Sequence, residues 1–524
     1  MTTNSLEFTR KNIDFIATQN IQYFEKISDL EQAKNSWEKE KEELKNKYNY
    51  LIEQIRLMKQ RQFGKKSEQQ IEGLVQQAIV FDDLDPKEKI AEIEEAPTET
   101  ISYTRQKKKA GRNIDTSNLP REQIIHDLSA EEKICGCCGK KLEKIGEDRS
   151  EQLEYIPEQL KVIEHINPKY TCRNCETIKA AKKPESPLPK SMAGASLISN
   201  VIVKKYDHHL PWYRQSKIFN QSGLDIPANT IGNWFMEAGE VLFPLSNALW
   251  NEISAVKVLQ ADETTVKVLA EDVKGYIWAY HSCDPNNRFV TFEYNDSRGS
   301  KVVNSTLENY TGILQSDGYS GYNAIGEKEG IIHLGCWAHC RRKFVDVIKI
   351  TNKTGTAHEM VGLIRKLYEI ERVAKENNLI ATERQKLREK EAKPILEKIH
   401  KCLTKSNAPP KSTLWSAINY ALNQWKNLNR YIEYGEAEID NNWAENQIRP
   451  FALGRKNWLF IGNKKAADVA AFFYSIIQTC KLNNIDAQNY LTYVLKQVGR
   501  MRRCEVDPKT LLPQFIDRTL LQQP

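Results

Sequence analysis

"VKVLQAD", residues 256–262, is an apolar, β-branched run that closes on an acid, and it reads as a buried strand ending at Asp262. "GYIWAYHSC" (275–283) and "RFVTFEY" (288–294) read as two more strands, close enough to form a hairpin meander. "GSKVVNSTLENY" (299–310) reads as a helix, and "GILQSDGYSGY" (312–322) as a strand running into Asp317 and a turn. "GIIHLGCWAHCRRKFVDV" (330–347) adds a fifth strand that leads into a basic helix. Three strands, a helix, a strand, then helix and strand in alternation is the ribonuclease-H-like order. In such a sheet the first and fourth strands end side by side, so Asp262 and Asp317 are expected to meet.

Two adjacent carboxylates repel unless a cation lies between them. Mg²⁺ suits that position because it prefers carboxylate oxygen and water. A pair of such ions can activate an attacking hydroxyl and stabilise the leaving oxygen of a phosphodiester. A third carboxylate is then expected later in the chain, on a helix packed against the sheet. Glu445, within "DNNWAENQIRP" (440–450), is the candidate. A local reading competes with it: if Asn442 caps a helix, Glu445 sits at the third helical position as a capping-box acid, within reach of Arg449 at i, i+4. Between Asp317 and Glu445 the stretch 350–434 is charged and helical in pattern, as an inserted subdomain would be. After Glu445 come Arg449, Arg455, Lys456, Lys464 and Lys465, with Trp458 and Phe460 interleaved. Basic and aromatic residues together suit a nucleic-acid backbone and splayed bases, although a solvated face has the same composition.

The rest of the chain is organised in segments. Its 524 residues exceed one ordinary core, and the net charge of +7 is small for that length. No apolar stretch is long enough for a membrane span, and the start lacks an apolar signal core, which together predict a cytoplasmic protein. Leu30, Trp37, Leu44, Leu51 and Met58 recur every seven residues, the pattern of a coiled coil over residues 1–68. A charged linker follows at 69–114, acidic first and then basic in "RQKKKAGR" (105–112). Cys135 and Cys138 form one CxxC, and Cys172 and Cys175 another, in a segment spanning 115–182. Four thiolates in two knuckles suit tetrahedral Zn²⁺ in a ribbon, with a redox dithiol as the rival reading and Cys137 as an unassigned extra. Past a proline-rich break, residues 183–250 show helical spacing around a Ser222–Gly223 turn, with a second helix beginning near Thr230. That is the pattern of a DNA-binding helix-turn-helix and equally of an ordinary helical pair. His208 and His209 have no ligand partner at useful spacing and read as packing or solvent residues.

Several blocks together resemble one family. "RQFGKKSEQ", "GEDRSEQLEYIPEQLKVIEHINPKYTCRNCE", "HLPWYRQSKIF", "LQADET", "SDGYSGY", "CWAHCRRKF", "DNNWAENQIRPFALGRKNWLF" and "YSIIQTCKLNNIDAQNYLTYVL" are similar to blocks of the insertion-sequence-66 transposases, bacterial DDE enzymes. Asn446 stands where that family often carries arginine. The resemblance implies a multidomain α/β protein. Its ribonuclease-H-like catalytic core at 251–460 carries a helical insertion at about 350–434 and is followed by a helical region at 461–524. It implies Asp262, Asp317 and Glu445 as the catalytic triad on two Mg²⁺ ions, with Mn²⁺ able to substitute, and Asn441, Asn442 and Arg449 as supports. Cys135, Cys138, Cys172 and Cys175 would hold a structural Zn²⁺. Arg341, Arg342, Lys343, Arg449, Arg455 and Lys456 would contact DNA, and His339 would contact DNA or brace the site. The implied partners are terminal inverted repeats, target DNA, a second copy through the coiled coil, and small accessory proteins of the element, with a nucleoid-associated location. The expected reaction is strand cleavage followed by transfer of the 3′-hydroxyl to target DNA. A nuclease without strand transfer, or an inactive DNA-binding regulator, shares most of these features.

Overall fold

The computed structural model describes residues 185–521 apart from 190, 271 and 351–354, most of 19–48 with a few positions up to 55, residues 160–167, and two short strands. The four knuckle cysteines and the charged linker lie outside the described residues. Residues 26–45 are helical (α1), and the heptad residues Leu30, Trp37 and Leu44 on it are exposed. In the unit formed by residues 82–183, β1 (Lys169–Thr171) and β2 (Ile178–Ala180) pair as an antiparallel hairpin.

In the larger unit, α2 (Ala195–Tyr206), α3 (Trp212–Gln221), α4 (Ala228–Val241) and α5 (Phe243–Asn251) precede the sheet. The α3–α4 turn uses Gly223 at φ +81°, a conformation that costs glycine nothing. Helix α4 begins at Ala228, directly after Pro227, rather than at Thr230. The sheet follows as β3 (Val258–Val268), β4 (Val273–Ser282), β5 (Val290–Asn295), α6 (Ser300–Thr306), β6 (Gly312–Gln315), α7 (Asn323–Gly326) and β7 (Ile331–Leu334). Its spatial order is β5-β4-β3-β6-β7, with β4 antiparallel to β3 and β5, and β6 parallel to β3 and β7. Next come α8 (Trp337–Ile350), α9 (Thr356–Glu376), α10 (Ala381–Leu387), α11 (Lys393–Lys405), α12 (Thr413–Asn423) and α13 (Trp425–Asn429). The chain closes with α14 (Asn442–Trp458), α15 (Lys464–Leu482), α16 (Ala487–Lys496) and α17 (Val498–Arg502).

Two cores flank the sheet. One joins Val258 and Ile313 to α8, α9, α11 and α12. The other runs from Leu188 to Ile516, so the helices before the sheet and those after α14 share a single core rather than forming separate ones. Helix α15 is buried along most of its length and lies against edge strand β5. There Ser475 Oγ accepts the Phe292 N–H at 2.8 Å and Thr479 Oγ1 accepts the Val290 N–H at 3.2 Å. These hydroxyls satisfy an edge that would otherwise be open to another strand.

Candidate active site

Parallel pairing sets the first two acids level. Gln260 is the partner of Gln315 in the β3–β6 register, and each stands two residues before an aspartate, Asp262 and Asp317. Strand β6 ends at Gln315, whereas β3 does not stop at Asp262 but continues to Val268. The reason is β4, whose antiparallel pairing holds β3 from Leu259 to Val268 after β6 has turned away. Asp262 thus sits mid-strand at the mouth left by β6. The Asp317 carboxylate accepts the Tyr319 N–H at 2.9 Å, which shapes the turn after β6.

The third acid comes from the first turn of α14. Asn441, not Asn442, is the N-cap, and its own side chain makes no capping hydrogen bond, so Glu445 lies at the fourth helical position and the capping-box reading is overturned. The amide nitrogens of both asparagines bond away from the helix start, while Asn441 Oδ1, the atom a cap would use, is buried without a hydrogen bond. Asn441 Nδ2 donates to Ala261 O at 3.3 Å, and Asn442 Nδ2 donates to Asp440 Oδ2 at 3.0 Å. Gln260 ties the helix start to the sheet, donating to Asp440 O at 2.8 Å and accepting the Ala444 N–H at 3.1 Å. Glu445 itself faces α8, with Arg342 Nη2 3.5 Å from Oε2 and His339 Nδ1 3.5 Å from Oε1.

Electrostatics bind the acids into one group. Asp262 is pushed well above the usual carboxylate range, first by burial and then by the charges of Glu263, Glu445 and Asp317. Burial likewise raises Glu263, opposed by hydrogen bonds from Tyr322 and Arg298. Arg298 Nε lies 2.9 Å from Glu263 Oε1, and Tyr322 Oη donates to Oε2 at 2.7 Å. No such partner compensates Glu445 Oε1, which is buried without a hydrogen bond. Mutually repelling oxygens with an orphaned acceptor are what a hard divalent cation satisfies, so the residues fit Mg²⁺.

The basic and aromatic candidates separate into groups. Arg341 is largely buried, and its charge acts on Tyr368. Arg455 Nη1 donates to the hydroxyls of Thr264 at 3.2 Å and Thr265 at 3.1 Å, tying α14 to β3. Trp458 is buried against Phe451, ring centroids 5.4 Å apart, and is a core residue rather than a base-stacking surface. Lys464 pairs with Asp296 and Lys465 with Glu240. Lys343, Arg449, Lys456 and Phe460 are exposed. Sequence reasoning missed Glu263 and Cys336. The first stands next to Asp262 in "LQADET", and the second makes a C-x-x-H spacing with His339.

The model of the Transposase IS66 family matches residues 190–469, a span that holds all three acids. The chain belongs to this family. The zinc-finger binding domain of transposase IS66 matches residues 132–176, and Transposase C of IS166 homeodomain matches 50–124. Among curated relatives from Sinorhizobium fredii (strain NBRC 101917 / NGR234), uncharacterized protein y4hP is 33% identical over 425 residues, 76% of this chain and 75% of its own. Uncharacterized protein y4jD is 31% identical over 444 residues, 81% of this chain and 86% of its own. Membership in the IS66 transposases carries a general transposase role, a DNA partner and a structural zinc in the finger. Among the described residues no helix is long and apolar enough to cross a membrane.

Proposed function

We propose that the protein is a DDE transposase that cleaves the ends of its insertion sequence and joins the 3′-hydroxyls to target DNA. The observation that carries this reading is the level register of Asp262 and Asp317, with the Glu445 charge acting on Asp262. The sheet order β5-β4-β3-β6-β7, with only β6 and β7 parallel to β3, supports a ribonuclease-H-like core. Two Mg²⁺ ions held by Asp262, Asp317 and Glu445 would activate the attacking hydroxyl and stabilise the leaving oxygen. The chain's own work is positioning. Gln260 fixes the start of α14 against the sheet, Arg342 orients Glu445, and a cation held among the acids would relieve the repulsion that raises Asp262. Arg342, Lys343, Arg449 and Lys456 border the path of the DNA. The zinc-binding segment (115–182) and helices α2–α5 hold element ends, and the coiled coil pairs protomers.

The test uses full-length protein, Mg²⁺ and labelled duplex carrying the gene's flanking ends, with Glu445→Gln in parallel. Nicked and joined products from wild type alone are expected. Nicks without joined products would make the protein a nuclease, and equal cleavage by the variant would remove Glu445 from the site.

A further inference from the structure

We infer that Cys336, His339 and Glu445 form a binding site for a thiophilic divalent cation of the zinc type, distinct from the finger zinc. It competes with Mg²⁺ for Glu445, and this competition rests on the catalytic reading above. Cys336 directly precedes α8 and His339 lies in its first turn, so a C-x-x-H spacing turns both side chains to one side. Glu445 approaches from the first turn of α14, and one ligand atom of each residue lies within 4.8 Å of the others.

The finer geometry points the same way. His339 Nδ1 and Glu445 Oε1 are 3.5 Å apart, yet each is buried without a hydrogen-bond partner. Zinc–nitrogen and zinc–oxygen bonds of about 2.1 Å at a tetrahedral angle set those atoms about 3.4 Å apart. Arg342 approaches the other oxygen, Oε2, and leaves Oε1 to the cation. Burial, with the charges of Asp440 and Glu445, holds the Cys336 thiol well above its ordinary range against backbone hydrogen bonds from Asn441 and His339, so the incoming cation has to displace the thiol proton. Thiolate and carboxylate together cancel the charge of a divalent ion at a site where Cys336 is buried and His339 and Glu445 are partly buried. A sulfur, nitrogen and oxygen set also discriminates: it takes Zn²⁺ or Co²⁺ far more readily than Mg²⁺, which requires oxygen. Glu445 therefore serves either Mg²⁺ with Asp262 and Asp317, or zinc with Cys336 and His339. Zinc beyond the finger equivalent switches the enzyme off.

The experiment titrates Co²⁺ into full-length protein whose finger is already loaded with one equivalent of zinc. One further equivalent is expected, with a sulfur-to-cobalt charge-transfer band that Mg²⁺ does not produce and Zn²⁺ abolishes. Cys336→Ser and, separately, Glu445→Gln should each remove that equivalent while leaving the finger zinc in place. In Mg²⁺-dependent cleavage, the same Zn²⁺ equivalent should slow wild type about tenfold or more. Cys336→Ser should keep most of its own zinc-free rate. Absence of a further equivalent, or a band that persists in Cys336→Ser, overturns the site. If Co²⁺ binds as expected but wild type never cleaves DNA, the catalytic reading and the competition fall while the cation site stands.

Discussion

Gln260 and Gln315 face each other across the β3–β6 pair, amide to amide at 2.9 Å, and each stands two residues before an acid of the site. Alternation along a strand puts Gln260 and Asp262 on one face, so the amide that fixes the strand pair also fixes the direction of the acid. Gln315 extends the ladder by donating to Glu438 O at 2.8 Å, in the segment that leads into α14.

Gln260→Leu strips partners from Gln315 Oε1, Asp440 O and the Ala444 N–H, all in the interior. Each buried group left unmatched costs about 1–3 kcal/mol, so the urea midpoint should fall clearly. Mg²⁺-dependent cleavage should fall further than the folded fraction does, because the start of α14 loses its tether. Activity that merely tracks the folded fraction would count against this role for Gln260.

Arg388 carries the same logic into the helical insertion. It opens a single π-helical turn (Arg388–Ala392) and is fully buried. Its guanidinium meets Glu371 at two 2.7 Å contacts and donates to Tyr431 O at 2.9 Å, Tyr434 O at 2.7 Å and Ala437 O at 2.8 Å. Arg388→Met leaves the Glu371 carboxylate buried and unpaired by Arg388, a loss of about 3–5 kcal/mol. Adding Glu371→Leu should recover part of it. Double-variant stability below that of Arg388→Met would show that the ion pair is not the term that matters.

How much was legible in the sequence follows from which forces were local. The five strands were readable because apolar runs of strand length declare themselves, with Asp262 inside the first and Asp317 just past the fourth. The true end of β3 was not readable, because it depends on how far β4 accompanies it. Glu445 could be found but not separated from a cap, since that distinction rests on a one-residue shift of the helix start. "ERQKLREKEAK" read only as charged and helical, and the pattern did not show that one π-helical turn buries Arg388 within it. Trp458 looked available for bases, but the partner that buries it, Phe451, is a neighbour only once α14 forms.

Gly318 follows Asp317, and its N–H donates to Tyr420 Oη at 3.2 Å. A Cβ there would lie 2.6 Å from Tyr420 Cε2 and 2.8 Å from Cζ, so either the ring or the turn must move. Gly318→Ala should cost about 1–3 kcal/mol through overpacking. Displacing Asp317 by about an ångström should lower cleavage about a hundredfold. Adding Tyr420→Ala should restore space and part of the rate. Full activity in Gly318→Ala would mean that the Asp317 turn tolerates displacement.

Asp262 makes the site a source of instability when no cation is bound. Its folded carboxyl is raised well above its unfolded value near 3.9, by burial first and then by three acidic neighbours. Below about pH 4 both states are protonated and the group is neutral to stability. As pH rises, the unfolded chain releases this proton first, so stability falls until the raised folded value is passed. Asp440, raised to about 6 by burial, adds a similar loss between its unfolded value and there. His339 and His333 are lowered by burial and act in the opposite sense on the acid side. Those groups are common to wild type and Asp262→Asn, so their effect largely cancels in the difference between the two proteins. Asp262→Asn, inactive in cleavage, should therefore melt above wild type in Mg²⁺-free buffer. The gap should widen as pH rises above the unfolded value of about 4 and close when Mg²⁺ is added, because only wild type gains from the cation. Parallel melting curves as pH rises, with or without Mg²⁺, would leave Asp262 without the strained, cation-seeking role assigned to it.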